Sequence, residues 1–91
     1  MVTAIVLVNV QRPKLKSVTE NVLKIKGVTE VYTVAGEYDL AAIVRVKTNT
    51  ELSDIVVDRM PHHIDGITHT KTLVALGVDS KIDLAKAFKL K

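Results

Sequence analysis

Ninety-one residues carrying a formal charge of +3, no cysteine and 47% hydrophobic content suffice for one domain with one core. The missing cysteines exclude a disulfide framework and a thiolate zinc site, and they fit a reducing, cytoplasmic setting. The positive surplus is weak and end-loaded, with Lys81, Lys86, Lys89 and Lys91 outweighing Asp79 and Asp83 in the tail, so it argues for solubility and against a nucleic-acid groove.

Val2 to Val10 is apolar but far shorter than the roughly 20 residues a membrane span needs, and neither a charged leader nor a cleavage pattern accompanies it. Val2, Ala4, Val6, Val8 and Val10 face one way and Ile5 and Leu7 the other, which predicts a central strand buried on both faces. Pro13 then stands where a helix can begin. Leu15, Val18, Val22 and Ile25 recur at spacings of three and four, with Lys14, Lys16, Glu20 and Lys24 opposite, and Gly27 closes the helix. These lysines, with Lys26, read as the solvated side of that helix.

Val28 to Ala35 is expected as the second strand, Gly36-Glu37 as the turn, and Tyr38 to Val46 as the third strand of a hairpin. Thr48-x-x-Glu51 is a capping box ahead of Leu52, Ile55, Val56 and Met60, predicting a second helix that Pro61 ends. Ile67 to Leu76 is the fourth strand. The tail, residues 78–91, carries Ser80-x-x-Asp83 and then Ile82, Ala85 and Phe88 at helical spacing, a pattern for a short packing helix or a frayed end.

The chain repeats itself. Ile25-Lys-Gly-Val-Thr29 closes one helix and opens a strand, and Ile64-Asp-Gly-Ile-Thr68 does the same after the other. Two strand-helix-strand halves give an α+β, ferredoxin-like βαββαβ sandwich over residues 1–77, with a four-stranded antiparallel sheet and both helices on one face. Apolar side chains nevertheless occupy the second parity of the strands, namely Ile5 and Leu7, Tyr32 and Val34, Ala41 and Ile43, Val74 and Leu76. Four strands at this spacing and length project about 320 Å² of uncovered sheet, the upper range of what a monomer exposes. A second copy packing sheet on sheet is the expected cover; strand ends or the tail helix are the alternative.

Three motifs in register, Gly27-Val-x-Glu-Val-Tyr32, Gly36-x-Tyr-Asp39 and Gly66-x-x-x-Thr70-x-Thr72 ahead of an apolar strand, resemble the ligand-binding domain of the leucine-responsive and asparagine-regulator (Lrp/AsnC) family of transcription regulators. The likeness covers residues 1 to about 77. It implies a sheet-on-sheet homodimer, rings commonly of eight subunits, and a small ligand, usually an amino acid, held between dimers. Family members at full length also carry an N-terminal helix-turn-helix domain. Here Met1 leads straight into the first strand, which implies a stand-alone sensing domain without its own DNA-reading helix, acting through itself or through helix-turn-helix-containing paralogues.

An amino-acid zwitterion needs acceptors for its ammonium and donors for its carboxylate. Asp39 offers the first; backbone N–H groups near Gly36 and the hydroxyls of Thr70 and Thr72 offer the second, with Tyr38 as wall or rim. By similarity to the family, the glycine turn and the threonine pair belong to the ligand site. The same residues also have a structural reading: Gly36 for a positive-φ turn, Asp39 capping turn N–H groups, the threonines facing solvent on an alternating strand.

His62, His63 and His69 lack the carboxylate or cysteine spacing of a metal site, and no nucleophile motif or phosphate cradle is present. Neither a metal nor another cofactor is expected, and no catalytic residue. Two further readings compete with the sensor: a ligand-free module that joins mixed assemblies with full-length regulators, and a small ferredoxin-like enzyme of the monooxygenase or isomerase type using His62 or His69 as base.

Overall fold

The computed structural model describes residues 1–81. Strand β1 (Val2–Val10) runs through the middle of a four-stranded sheet ordered β2-β3-β1-β4, in which β2 is Val28–Thr33, β3 is Leu40–Val46 and β4 is Ile67–Val74. Every neighbouring pair is antiparallel. A 3₁₀ turn at Arg12–Lys14 carries Pro13 and leads into α1 (Leu15–Leu23); the second helical segment follows β3. This is the ferredoxin-like architecture expected from the element order. The expected tail helix, with Ile82, Asp83, Ala85 and Phe88, lies outside the described residues.

One face of the sheet is sealed. Ala4, Val6 and Val8 of β1 and Leu40, Ala42 and Val44 of β3 are wholly buried against Val18 and Val22 of α1 and Met60 of the second helical segment. Each large side chain so buried contributes about 1.5–3 kcal/mol by leaving water, and among the described residues no polar or charged side chain is buried with them.

Pro61 does not end the second helix, contrary to expectation. The segment runs as α2 (Asn49–Ser53), a π-helical stretch (Asp54–Arg59) and α3 (Met60–His63). In a regular α-helix the Pro61 ring would clash with the carbonyl four residues back; the wider π turn just ahead of it relieves that contact. Thr48 caps the start as predicted, its hydroxyl accepting from the Glu51 N–H at 3.1 Å, while the Glu51 carboxylate accepts from the N–H of Lys47, one residue earlier than the usual reciprocal partner. The hairpin also differs from expectation. β2 stops at Thr33 and β3 starts at Leu40, so a six-residue loop, 34–39, replaces the two-residue turn and Tyr38 lies outside the strand.

The internal repeat specifies more than a turn. Gly27 and Gly66 take φ of 102° and 106°, and each carbonyl accepts a 2.8 Å bond from a strand-end amide, Gly27 from Arg45 and Gly66 from Gln11. Two residues on, each half carries a β-bulge: Val28 and Glu30 pair with Val44 and Ile43, skipping Thr29, and Ile67 and His69 pair with Val10 and Asn9, skipping Thr68. A bulge inserts one residue and reverses the alternation beyond it. Strand β4 is therefore opposite in parity to the sequence expectation. Leu73, paired with Ile5, lies on the face that is helix-free among the described residues, while Thr70, Thr72 and Val74 pair with the core residues Val8, Val6 and Ala4. Leu76 falls beyond the strand.

Candidate functional site

The loop between β2 and β3 is folded back against the end of β1 by Asp39. Its carbonyl accepts from the Val34 N–H and its own N–H donates to the Val8 carbonyl, both at 3.0 Å. Its carboxylate Oδ2 accepts from the Val10 N–H at 2.9 Å. Val8 is the last β1 residue paired with β3, so this carboxylate supplies the acceptor that a longer β3 would have given Val10. Beside it, the Tyr38 ring stacks on His69 of β4, with centroids 6.3 Å apart and 22° between planes.

The five site residues read from the sequence are thus partly assembled. Tyr38 and Asp39 sit at the end of the sheet where β1 finishes and β4 begins, and Thr70 is level with them because its partner Val8 also receives the Asp39 N–H. Thr72 lies one pair further along, opposite Val6. Both threonines are half-buried on the helix-covered side, whereas His69 is on the other. Gly36, at φ 130°, is exposed at the loop, and a Cβ there would meet nothing within 4 Å. Sequence reasoning passed over His69 as a partner for Tyr38, since it takes the β1–β3 and β1–β4 pairings together to bring them to the same end of the sheet.

The helix-free face has an apolar centre and a polar rim. Ile5, Leu7, Ala41, Ile43, Tyr32 and Leu73 share it by register, and Ile5, Tyr32 and Leu73 are 37%, 51% and 45% exposed. At one edge, Arg45 donates to Glu30 at 2.9 Å and to the Thr29 hydroxyl, and the Tyr32 hydroxyl donates to Glu30. The Tyr32 hydrogen bond and then the Arg45 guanidinium hold the Glu30 carboxyl below its ordinary value, and Glu30 in turn raises Tyr32.

Two clefts lie elsewhere. One of about 700 Å³ opens where β3 ends and the second helical segment begins, and one of about 440 Å³ lies between α1 and the end of that segment. His63 there reaches Asp58 at 3.4 Å with both side chains exposed. Among the described residues no three His, Cys, Asp or Glu side chains gather closely enough to hold a metal, and no helix is long and apolar enough to cross a membrane.

The family model described as the Lrp/AsnC ligand binding domain matches residues 3–81. An uncharacterized HTH-type transcriptional regulator of Pyrococcus abyssi is 40% identical over 60 residues, 66% of this chain and 39% of that protein. The chain spans between 39% and 50% of the length of the curated relatives it matches. The crystal structure of TTHA0845 from Thermus thermophilus superposes with a TM-score of 0.80 at 34% identity, covering 89% of this chain and all of that one. A feast or famine regulatory protein from M. tuberculosis, complexed with L-methionine, shares the fold at a TM-score of 0.73 and 21% identity, over 91% of this chain and 56% of that one.

Proposed function

Because this chain belongs to the Lrp/AsnC ligand binding domain family, we propose that it is a regulatory sensor rather than an enzyme: two copies pack through their helix-free sheet faces, and an amino acid or related metabolite binds between subunits. One observation carries this reading. The Tyr38–Asp39 loop is tied to the end of β1 immediately beside an apolar sheet face that no helix covers among the described residues, so a group arriving from another subunit would complete a pocket there. Tyr38 supplies a wall and the exposed backbone around Gly36 supplies donors for a carboxylate; Thr70 and Thr72, on the helix-covered side of β4, lie on the other side of the sheet from this pocket and are left out of it. Asp39 does two jobs, since a carboxylate has acceptor capacity beyond the single Val10 N–H. The methionine held by the M. tuberculosis relative sets the ligand class to try first.

Such a ligand acts by preferring one assembly over another, and transcription is affected through whatever helix-turn-helix partner shares the assembly. The test pairs two measurements on one sample, a thermal-shift screen of the amino acids and solution mass by light scattering. A ligand at 100 times its dissociation constant adds about 2.7 kcal/mol, and an assembly change appears as a step in mass. A monomer of unchanged melting temperature across the whole panel would overturn the reading.

A further inference from the structure

The helix-free face is laid out in level rows. Strand register sets Tyr32, Ala41, Leu7 and Lys71 side by side in one row and Glu30, Ile43, Ile5 and Leu73 in the next. Each row runs from edge strand β2 to edge strand β4, about 14 Å across. Charge is divided unequally between the two edges. The β2 edge holds the carboxylate of Glu30, which accepts from Arg45 at 2.9 Å and from the Tyr32 hydroxyl. The β4 edge holds Lys71, which is exposed and among the described residues forms no ion pair.

Aligned sheets pack with their strand directions within about 30° of each other, and a two-fold axis between them then runs either across the strands or along them. An axis across the strands lays β4 on β4. Lys71 would meet only His69, Lys71 and Leu73 of the partner subunit, and covering it there leaves a buried, unpaired charge, which is strongly unfavourable. An axis along the strands reverses each row upon itself. Tyr32 then lies over Lys71 of the partner subunit, a cation on an aromatic face, and small Ala41 lies over Leu7 of the partner subunit. In the next row Ile43 lies over Ile5 of the partner subunit and Glu30 over Leu73 of the partner subunit, one level from that lysine. The Glu30 carboxylate has acceptor capacity beyond Arg45 and Tyr32, and a lysine stem can lie along apolar surface to reach it.

We propose that two copies of this chain pack about an axis along the strands, the β2 edge of each against the β4 edge of the other, with Lys71 of each copy held by Glu30 and Tyr32 of the partner subunit. This rests on the sheet-on-sheet reading and adds to it the orientation of the partner and the polar contact that fixes it. The contact forms twice, because the interface is isologous. The same axis sets both Tyr38–Asp39 loops at one end of the pair, whereas the crosswise axis sets them at opposite ends.

The chain has no cysteine, so single cysteines report the orientation. Tyr32→Cys and Lys71→Cys proteins, each changed at an exposed position, are treated with a short bismaleimide separately and as an equimolar mixture, at a concentration where light scattering gives the mass of two copies. The expected result is a covalent pair from the mixture and little from either protein alone. Cross-linking of either protein by itself at the yield of the mixture overturns the proposal, and so does a mixture of paired copies that yields none. Lys71→Glu, which sets like charges together, should raise the dissociation constant of the pair at least about tenfold, and Lys71→Arg should keep it near the wild-type value; an unchanged constant in Lys71→Glu also overturns it. A wild-type protein that stays a monomer ends the sheet-on-sheet reading itself and this proposal with it, whereas a pair with the wrong cross-links ends the orientation alone.

Discussion

The carboxylate of Asp39 accepts from the backbone N–H of Val10 at 2.9 Å, across 29 residues of chain. This contact joins the stability of the sheet to the geometry of the candidate site. Asp39→Ala strands the Val10 N–H and should cost about 1–2 kcal/mol in urea unfolding at fixed protein concentration. Asp39→Asn keeps an acceptor oxygen and should recover at least half of that. If the carboxylate also holds a ligand ammonium, Asp39→Asn abolishes the amino-acid thermal shift while leaving most of the stability intact.

The three positive-φ glycines should respond unequally to alanine. At Gly27 the new methyl meets Val46 and Ile55, and at Gly66 it meets Lys14 Cβ and Val18 Cγ2, both at 2.9 Å. Strain and overpacking add, so each substitution should cost at least about 2 kcal/mol. At Gly36 nothing lies in the way and only backbone strain remains, about 1 kcal/mol. Urea midpoints of the three variants check the order.

Charge on the helix-free face should prevent the proposed sheet-on-sheet pairing and spare the fold. Ile5 and Leu73 are cross-strand partners at the centre of that face and are already partly exposed in one chain. Ile5→Asp or Leu73→Asp should give a folded monomer by light scattering at micromolar concentration, because a buried, unpaired carboxylate at a sheet-on-sheet interface costs more than the contact returns. A variant that keeps the wild-type mass places the subunit contact elsewhere.

Two carboxylates contribute to the acid limb of stability. Glu30 is held below its ordinary 4.5 by Tyr32 and Arg45, and Asp65 below 3.8 by its hydrogen bond from Lys14. A depressed carboxyl contributes stability that is fully present above its unfolded value and is lost as the pH falls through its folded one. Stability should therefore be flat from pH 7 to about 5 with respect to these groups and decline below the ordinary carboxylate range, with a shallower decline in Glu30→Gln. Tyr32 has the opposite sign: its raised value makes its contribution present below 10.0 and lost as pH rises through the folded value. Tyr32→Phe should return Glu30 toward 4.5 in an NMR titration.

Much of this molecule was legible in its sequence. The alternation of Val2 to Val10, the three-and-four spacing of Leu15, Val18, Val22 and Ile25, and the Thr48–Glu51 cap all describe local preferences that survive folding, because each concerns residues within a turn or two of one another. The paired glycines were equally legible, as only glycine readily takes φ near +100° where a helix hands over to a strand.

Tertiary structure alone decided the rest. Whether Thr70 and Leu73 face the helices or the open side depends on which residue of β1 each one meets, and the bulge at Thr68 settles that through hydrogen bonds to a strand some sixty residues away. Asp39 found Val10 through the pairing of β1 with β3, and Tyr38 found His69 because β3 and β4 both flank β1. The cleft where β3 ends has no linear signature, because Lys26, Lys47 and Arg59 at its edge belong to three segments that become neighbours only when the core closes. Periodicity is written along the chain; the strand register that gathers a site is set by contacts between distant parts of it.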